Sequence, residues 1–254
     1  MVDLSIVVPC YNEAGNIPLI IKSFDAICAS DKNIEVLLVD NGSTDNSAEV
    51  FEQQLQGKNN IKLVKVTQNQ GYGYGILAGL EQAQGKLLAW THADMQTDPE
   101  DVITAYKLYL QKQEELQRSP NKESKLDGFD RNHIIIKGHR KKRKLTEAFF
   151  SWGMQVLCSI VLGTALEEIN AQPKLFSRQF YQEYIQKDAP YDFSLDLYLL
   201  YQAKKYGKTF SIPVYFKPRL HGEAKGGGSF KTRIKLIQRT LAYIFELSAK
   251  LIKS

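Results

Sequence analysis

The sequence predicts an α/β fold built on a mostly parallel sheet flanked by helices, and three observations carry that prediction. Four short apolar runs, at residues 4–9, 34–40, 61–66 and 86–91, have the length and content of buried strands. A helix-length segment follows each run, and strand–helix alternation of this kind calls for right-handed crossovers between parallel strands. Polar and acidic residues gather just after the runs, where ligands bind in open α/β sheets.

Taken in order, residues 4–9 (LSIVVP) are a strand covered on both faces. The turn CYNEAGN leads into a helix running to about Ser30, with Ile17, Leu19, Ile20, Phe24 and Ile27 as its apolar face. The second strand, IEVLLVD, ends in the carboxylate of Asp40. Ser43, Thr44 and Asp45 mark the start of the helix that follows. After the third strand, Gly71, Gly73, Gly75 and Gly79 open another helix. Their spacing is not G-x-G-x-x-G, so they serve either close helix packing or close approach to a ligand.

The fourth strand leads to His92, Asp94 and Gln96 at alternate positions. Continued strand geometry would project all three to one side of the sheet's carboxyl edge. Asp98 then caps a helix, with Pro99 and Glu100 in its first turn and its end near Arg118. A carboxylate beside an imidazole and an amide is a reasonable seat for a divalent cation carrying a diphosphate.

Residues 119–133 are polar and predict a surface loop; residues 134–137 predict a further strand. The basic run KGHRKKRK (residues 137–144) precedes an uncharged stretch at residues 148–166. Gly153, Gln155, Ser159, Gly163 and Thr164 make that stretch a helix in the membrane interface or against the core, rather than a span. The last segment is amphipathic, with Ile234, Ile237, Leu241, Ile244, Phe245, Leu247 and Leu251 broadly on one side. The predicted organisation is one domain over residues 1–230 and an amphipathic helix over residues 231–254, packed on the domain or on a membrane.

With 254 residues, 43% hydrophobic and 24% charged, the chain suits one large domain without repeats or linkers. Three cysteines without paired spacing exclude a disulfide framework and a metal finger, and indicate a reducing compartment. The N-terminus enters a strand directly, so no signal peptide is expected. The net charge of +5 is concentrated in the basic run, which lacks interleaved aromatics; no nucleic-acid partner is expected.

Joint occurrence of VVPCYNE, VDNGSTDNS, NQGYGYG and HAD, in that order, resembles the inverting family-2 glycosyltransferases over roughly the first hundred residues. The resemblance implies the GT-A fold, a Rossmann-like nucleotide-diphospho-sugar transferase domain. It assigns Pro9, Tyr11 and Glu13 to the nucleoside, with Asp40 reading the base and Gly71 at the donor site. It assigns Asp94 to a metal on the donor diphosphate. His92 stands where the family usually has Asp, which favours Mn²⁺ over Mg²⁺; His92 and Gln96 are the further candidate ligands.

The second half, with NAQPKLFSRQFY and KPRLHGEAKGGGS, resembles the polyprenyl-phosphate sugar synthases, including the dolichyl-phosphate mannose synthase group. Arg219, Gly222 and Lys225 match that group's Arg-x-x-Gly-x-x-Lys, with His221 and Glu223 between; Asn170 stands where Asp is common. Arg219 and Lys225 would neutralise charge on the diphosphate. The implied activity is inverting transfer of a sugar from a nucleotide-diphosphate sugar to a polyprenyl phosphate, at the cytoplasmic face of a membrane. Lys137 and Arg140 would guide the acceptor phosphate.

Two alternatives stay open. One is transfer to a saccharide hydroxyl, which needs a base, and Asp196 is the candidate. The other is a non-catalytic scaffold that binds nucleotide or membrane, which the departure at His92 supports.

Overall fold

The computed structural model describes residues 1–118, 133–141, 160–221 and 230–253, with side chains of the last helix over residues 238–249. Strands β1 (Leu4–Cys10), β2 (Ile34–Asn41), β3 (Ile61–Val66) and β4 (Leu87–Trp90) alternate with helices α1 (Ile17–Ser30), α2 (Ser47–Gln54), α3 (Tyr72–Gln82) and α4 (Glu100–Arg118). Then come β5 (His133–Arg140), β6 (Lys174–Ser177), a short helical turn at Arg178–Phe180 that becomes a π turn at Tyr181–Ile185, α5 (Leu195–Tyr206), β7 (Gly207–Val214) and α6 (Phe230–Lys253). The four predicted strand–helix units are present.

The sheet order is β3-β2-β1-β4-β6-β5-β7. β1, β2, β3 and β4 are mutually parallel where they pair, and β5 is parallel to β7. β6 is antiparallel to both its neighbours. Register brings Cys10 level with Asp40, and Trp90 level with both Val7 and Lys174. The carboxyl ends of β1, β2 and β4 therefore share one edge, the place the alternating pattern reserves for a ligand.

Both faces of the sheet are covered, which is why β2 is buried along its whole length. On one face Leu4, Ile6 and Val8 pack with α1 residues such as Phe24 and with Val102 of α4. On the other, Val7 and Trp90 pack with Ile76 and Leu80 of α3 and Leu195 and Leu199 of α5. Ile244 and Leu247 of α6 join this second cluster. Gly79 lets α3 sit hard on the sheet: a Cβ there would lie 2.4 Å from Val7 Cγ1 and 2.9 Å from Val39 Cγ2.

Two departures from the predicted pattern matter for the site. β6, a strand opened by a fully buried lysine, has no apolar signature of its own. The predicted strand at residues 134–137 extends to Arg140, carrying the start of the basic run into the sheet. Among the described residues no helix is long and apolar enough to cross a membrane. Of the loop predicted at residues 119–133, His133 instead opens β5, while residues 119–132 and most of the apolar stretch, residues 148–159, lie outside the described residues.

Candidate functional site

A cavity of about 320 Å³ opens at the carboxyl ends of β1, β2 and β4. Its first wall is the loop after β1, where Pro9, Tyr11 and Glu13 line it. That loop is stitched to the one after β2: Thr44 N–H donates to Asn12 Oδ1 (2.7 Å) and Glu13 N–H to Ser47 Oγ (3.2 Å). Glu13 is fixed further by Asn16, whose Nδ2 donates to Glu13 Oε2 at 2.6 Å. Asp40 is buried and its Oδ1 accepts from Ser43 N–H at 3.0 Å. It does not line the cavity; its neighbour Asn41 does.

The second wall is the glycine-rich start of α3. Gly71 lines the cavity with φ of 124°, a conformation open to glycine. A Cβ on Gly71 would lie 2.4 Å from Tyr191 O, and one on Gly73 2.4 Å from Pro190 O. Tyr74 N–H donates to Tyr191 O at 2.9 Å. These two glycines thus admit the loop before α5, and that loop carries Phe193 into the cavity. Phe193 stacks on Tyr72, with ring centroids 4.9 Å apart and planes 8° from parallel.

The floor is the end of β4. The strand stops at Trp90 and Met95 takes a φ of 55°, so the predicted alternation does not carry through to Gln96. His92 and Asp94 line the cavity. Gln96 is turned away, its Nε2 donating to Lys217 O at 3.2 Å. Asp94 is buried; Oδ1 accepts from Gln96 N–H (3.0 Å) and Oδ2 faces Arg219 Nη2 at 2.7 Å. Among the described residues there is no group of three or more His, Cys, Asp or Glu that could hold a metal ion. Of the three candidate ligands, His92 and Asp94 line the cavity and Gln96 does not.

Beneath His92 lies a buried polar cluster that no motif announces. Tyr72 Oη is 3.1 Å from His92 Nε2, 3.3 Å from Asp196 Oδ2 and 3.2 Å from Gln172 Nε2. Asp196 Oδ1 also accepts from Trp90 Nε1 (3.3 Å) and Gln172 Nε2 (3.0 Å), and Lys174 Nζ lies 3.6 Å away. Asp196 is therefore no surface acid: it is 2% exposed and does not line the cavity. Burial pushes the His92 imidazole below its ordinary pKa and brings Lys174 down to about 8.

The segment after β7 crosses the mouth of the cavity. Lys217 N–H donates to Gln96 O (2.8 Å) and its Nζ pairs with Asp98 (2.8 Å), while Arg219 reaches Asp94. Asn16 Nδ2 donates to His221 O at 3.4 Å, tying the far end of the segment to the start of α1. Arg239 of α6 also lines the cavity. Lys225, Gly222 and Glu223 lie outside the described residues.

Lys137 and Arg140 are not brought to this cavity. Three positions apart on β5, they project to opposite faces. Lys137 donates to Glu167 O and lines a separate cavity of about 270 Å³ with Lys204. Arg140 pairs with Glu168 at 2.9 Å and lies over Phe216. The basic run beyond Lys141 lies outside the described residues. Asn41, Tyr72, Phe193 and Arg239 are lining residues that sequence reasoning missed. Asn41 and Tyr72 carried a signal, their places inside VDNGSTDNS and NQGYGYG.

A family model described as Glycosyl transferase family 2 matches residues 5–163. The chain is 38% identical over 105 residues to an undecaprenyl-phosphate 4-deoxy-4-formamido-L-arabinose transferase of Pseudomonas paraeruginosa, covering 40% of this chain and 31% of that protein. The protein of that name from Photorhabdus laumondii is 37% identical over 101 residues, covering 39% and 31%. The chain thus spans about a third of the length of these curated relatives. Among solved structures, glucosyl-3-phosphoglycerate synthase from Mycobacterium tuberculosis, in complex with Mn²⁺, UDP and glucosyl-3-phosphoglycerate, superposes with a TM-score of 0.67 at 15% identity, covering 97% of this chain and 79% of that one. At that identity the likeness is one of fold, the GT-A arrangement.

Proposed function

Because the chain belongs to glycosyl transferase family 2, we propose that it moves a sugar from a nucleotide-diphosphate sugar to a polyprenyl phosphate, with inversion at the anomeric carbon. The observation that supports this best is the cavity where Tyr11 and Glu13 face Asp94 and Arg219, an apolar and aromatic cleft ending in paired charges. The names of the undecaprenyl-phosphate relatives support the acceptor class.

Pro9, Tyr11 and Glu13 hold the nucleoside, with Gly71 leaving room beside it. Asp40 serves the same end of the cavity, fixing the Ser43 turn behind Asn41. Asp94 and His92 fit a divalent cation shared with the diphosphate, since Mg²⁺ and Mn²⁺ sites on nucleotides use few side chains and complete their shells with phosphate and water. Such a cation, when bound, supplies neutralising charge to the leaving diphosphate. Gln96 does not fit that site, because it does not line the cavity and its side chain is turned to Lys217 O. Arg219 adds fixed positive charge at the same place, and Lys225, six residues on, is proposed to act with it.

A phosphate monoester has a second pKa of about 6, so the acceptor is already a nucleophile near neutral pH. Its oxygen bonds to the anomeric carbon as the bond to the diphosphate breaks, and the nucleoside diphosphate leaves with the electron pair. One displacement inverts the carbon, and no base is required. This agrees with Asp196 being buried under Tyr72 rather than open to an acceptor.

Arg140, with Lys141 beside it at the carboxyl end of β5, is proposed to draw in the phosphate headgroup, and Lys137 to support that strand end. The transfer domain is proposed to span residues 1–230. Residues 231–254, with Phe245 57% exposed on α6, would make peripheral contact with the membrane that holds the acceptor, at its cytoplasmic face.

The test is transfer of radiolabelled sugar from a nucleotide-sugar panel to polyprenyl phosphate by purified protein. An acid-labile, organic-extractable product is expected. Label found in saccharide instead, or none transferred while nucleotide binding persists, would overturn the reading.

A further inference from the structure

We infer that Asp196, acting through the Tyr72 hydroxyl, fixes His92 as the Nε2–H tautomer and leaves its Nδ1 lone pair for a ligand in the cavity. Each proton in the buried cluster has one place to go. Asp196 faces the Lys174 ammonium at 3.6 Å and takes N–H groups from Trp90 and Gln172 on Oδ1, so it is an ionised, acceptor-only group. Tyr72 Oη lies 3.3 Å from the other carboxylate oxygen. Two acceptor oxygens cannot face each other in a buried site without cost, so the single Tyr72 proton goes to Asp196.

The orientation of Gln172 is fixed by the same rule. Its Nε2 lies 3.0 Å from Asp196 Oδ1 and 3.2 Å from Tyr72 Oη, and a flipped amide would set its oxygen against the carboxylate. The Tyr72 oxygen, its proton spent on Asp196 and one lone pair on Gln172, can only accept from His92 Nε2 at 3.1 Å. His92 Nε2 therefore carries the ring proton.

Nε2 makes the ring's hydrogen bond among the described residues, and His92 lines the cavity two positions from Asp94. In the neutral ring Nδ1 is thus the electron-pair donor. A divalent cation beside Asp94 can use that lone pair. Asp196 is accordingly a positioning residue, one that touches neither sugar nor phosphate. The link to a cation rests on the donor site proposed above; the tautomer does not.

The test reads nitrogen-15 long-range correlations of the His92 ring, assigned by their loss in His92→Asn. Wild type should show a protonated Nε2 and a lone-pair Nδ1. Asp196→Asn should reverse the two, because its amide can donate to the Tyr72 oxygen and release the Tyr72 proton to Nε2. Tyr72→Phe keeps the Asp196–Lys174 pair and should give a mixture of tautomers. Mn²⁺ added with UDP should broaden the wild-type ring signals, and several-fold more Mn²⁺ should be needed with Asp196→Asn. A wild-type ring protonated on Nδ1, or one unchanged in both variants, would overturn the inference. A wild-type Nε2–H ring that Mn²⁺ leaves sharp would uphold the tautomer and remove the cation from the donor site.

Discussion

Arg219 Nη2 lies 2.7 Å from Asp94 Oδ2, so the carboxylate at the end of β4 already carries a positive partner before any ligand arrives. Both side chains are mostly buried, 24% and 7% exposed, which makes the pair stronger than a surface contact. A cation at Asp94 must therefore share the carboxylate with the guanidinium or displace it. Arg219→Ala should tighten Mn²⁺ binding to the UDP-loaded protein while lowering the transfer rate about 100-fold, the range for one lost charge stabiliser. Calorimetry beside single-turnover rates separates the two effects. Loss of both together would mean that Arg219 builds the site rather than competing at it.

Asp94 and Asp40 should behave differently although both end strands. Asp94→Asn removes a cavity carboxylate and should weaken nucleotide-sugar binding by about 1.5–3 kcal/mol, the range for a hydrogen bond to a charged group. Asp40→Asn changes a residue beside the cavity whose oxygen holds Ser43 N–H, so it should cost more in thermal stability than in donor affinity. Isothermal titration and melting curves on both variants check this. Equal losses of affinity would place Asp40 on the base.

Gly73 should tolerate no side chain. A Cβ would meet Pro190 O at 2.4 Å and Asp192 O at 2.8 Å, both backbone atoms that cannot swing aside. Gly73→Ala should destabilise the fold by about 1–3 kcal/mol, as overpacking does, and weaken donor binding by shifting Phe193 off Tyr72. Denaturant unfolding with nucleotide titration is the measurement. A neutral result in both would make the glycine dispensable.

Lys174 links stability to alkaline pH. Its folded pKa is about 8 against an ordinary 10.5, because burial penalises the ammonium. Between those values the unfolded chain binds more protons, so the lysine's contribution rises with pH and is least favourable below pH 8. A tenfold change in proton affinity corresponds to about 1.4 kcal/mol, so the full gain is about 3 kcal/mol. The unfolding free energy of wild type, less that of Lys174→Met, should climb from pH 8 to 10.5. A flat difference would show that Lys174 titrates normally.

The frame and one edge of the site are legible in the order of residues alone. Unbroken apolar runs at β1, β2, β3 and β4, each followed by residues at helical spacing, are local signals set by neighbours a few positions apart. They suffice to place Tyr11, Glu13, His92 and Asp94 at strand ends. Which polar groups meet is settled by the packed fold. Gln96 reads as a partner of Asp94 by alternation, yet Met95 turns the chain and Lys217, from after β7, takes its amide. Asp196 reads as a candidate base, yet β6 enters the sheet antiparallel to β4 and Lys174 and Gln172 hold its buried carboxylate. The difference is one of range. Hydrophobic periodicity is written in adjacent residues, whereas a buried charge needs a partner, and sheet order alone fixes which distant segment supplies it.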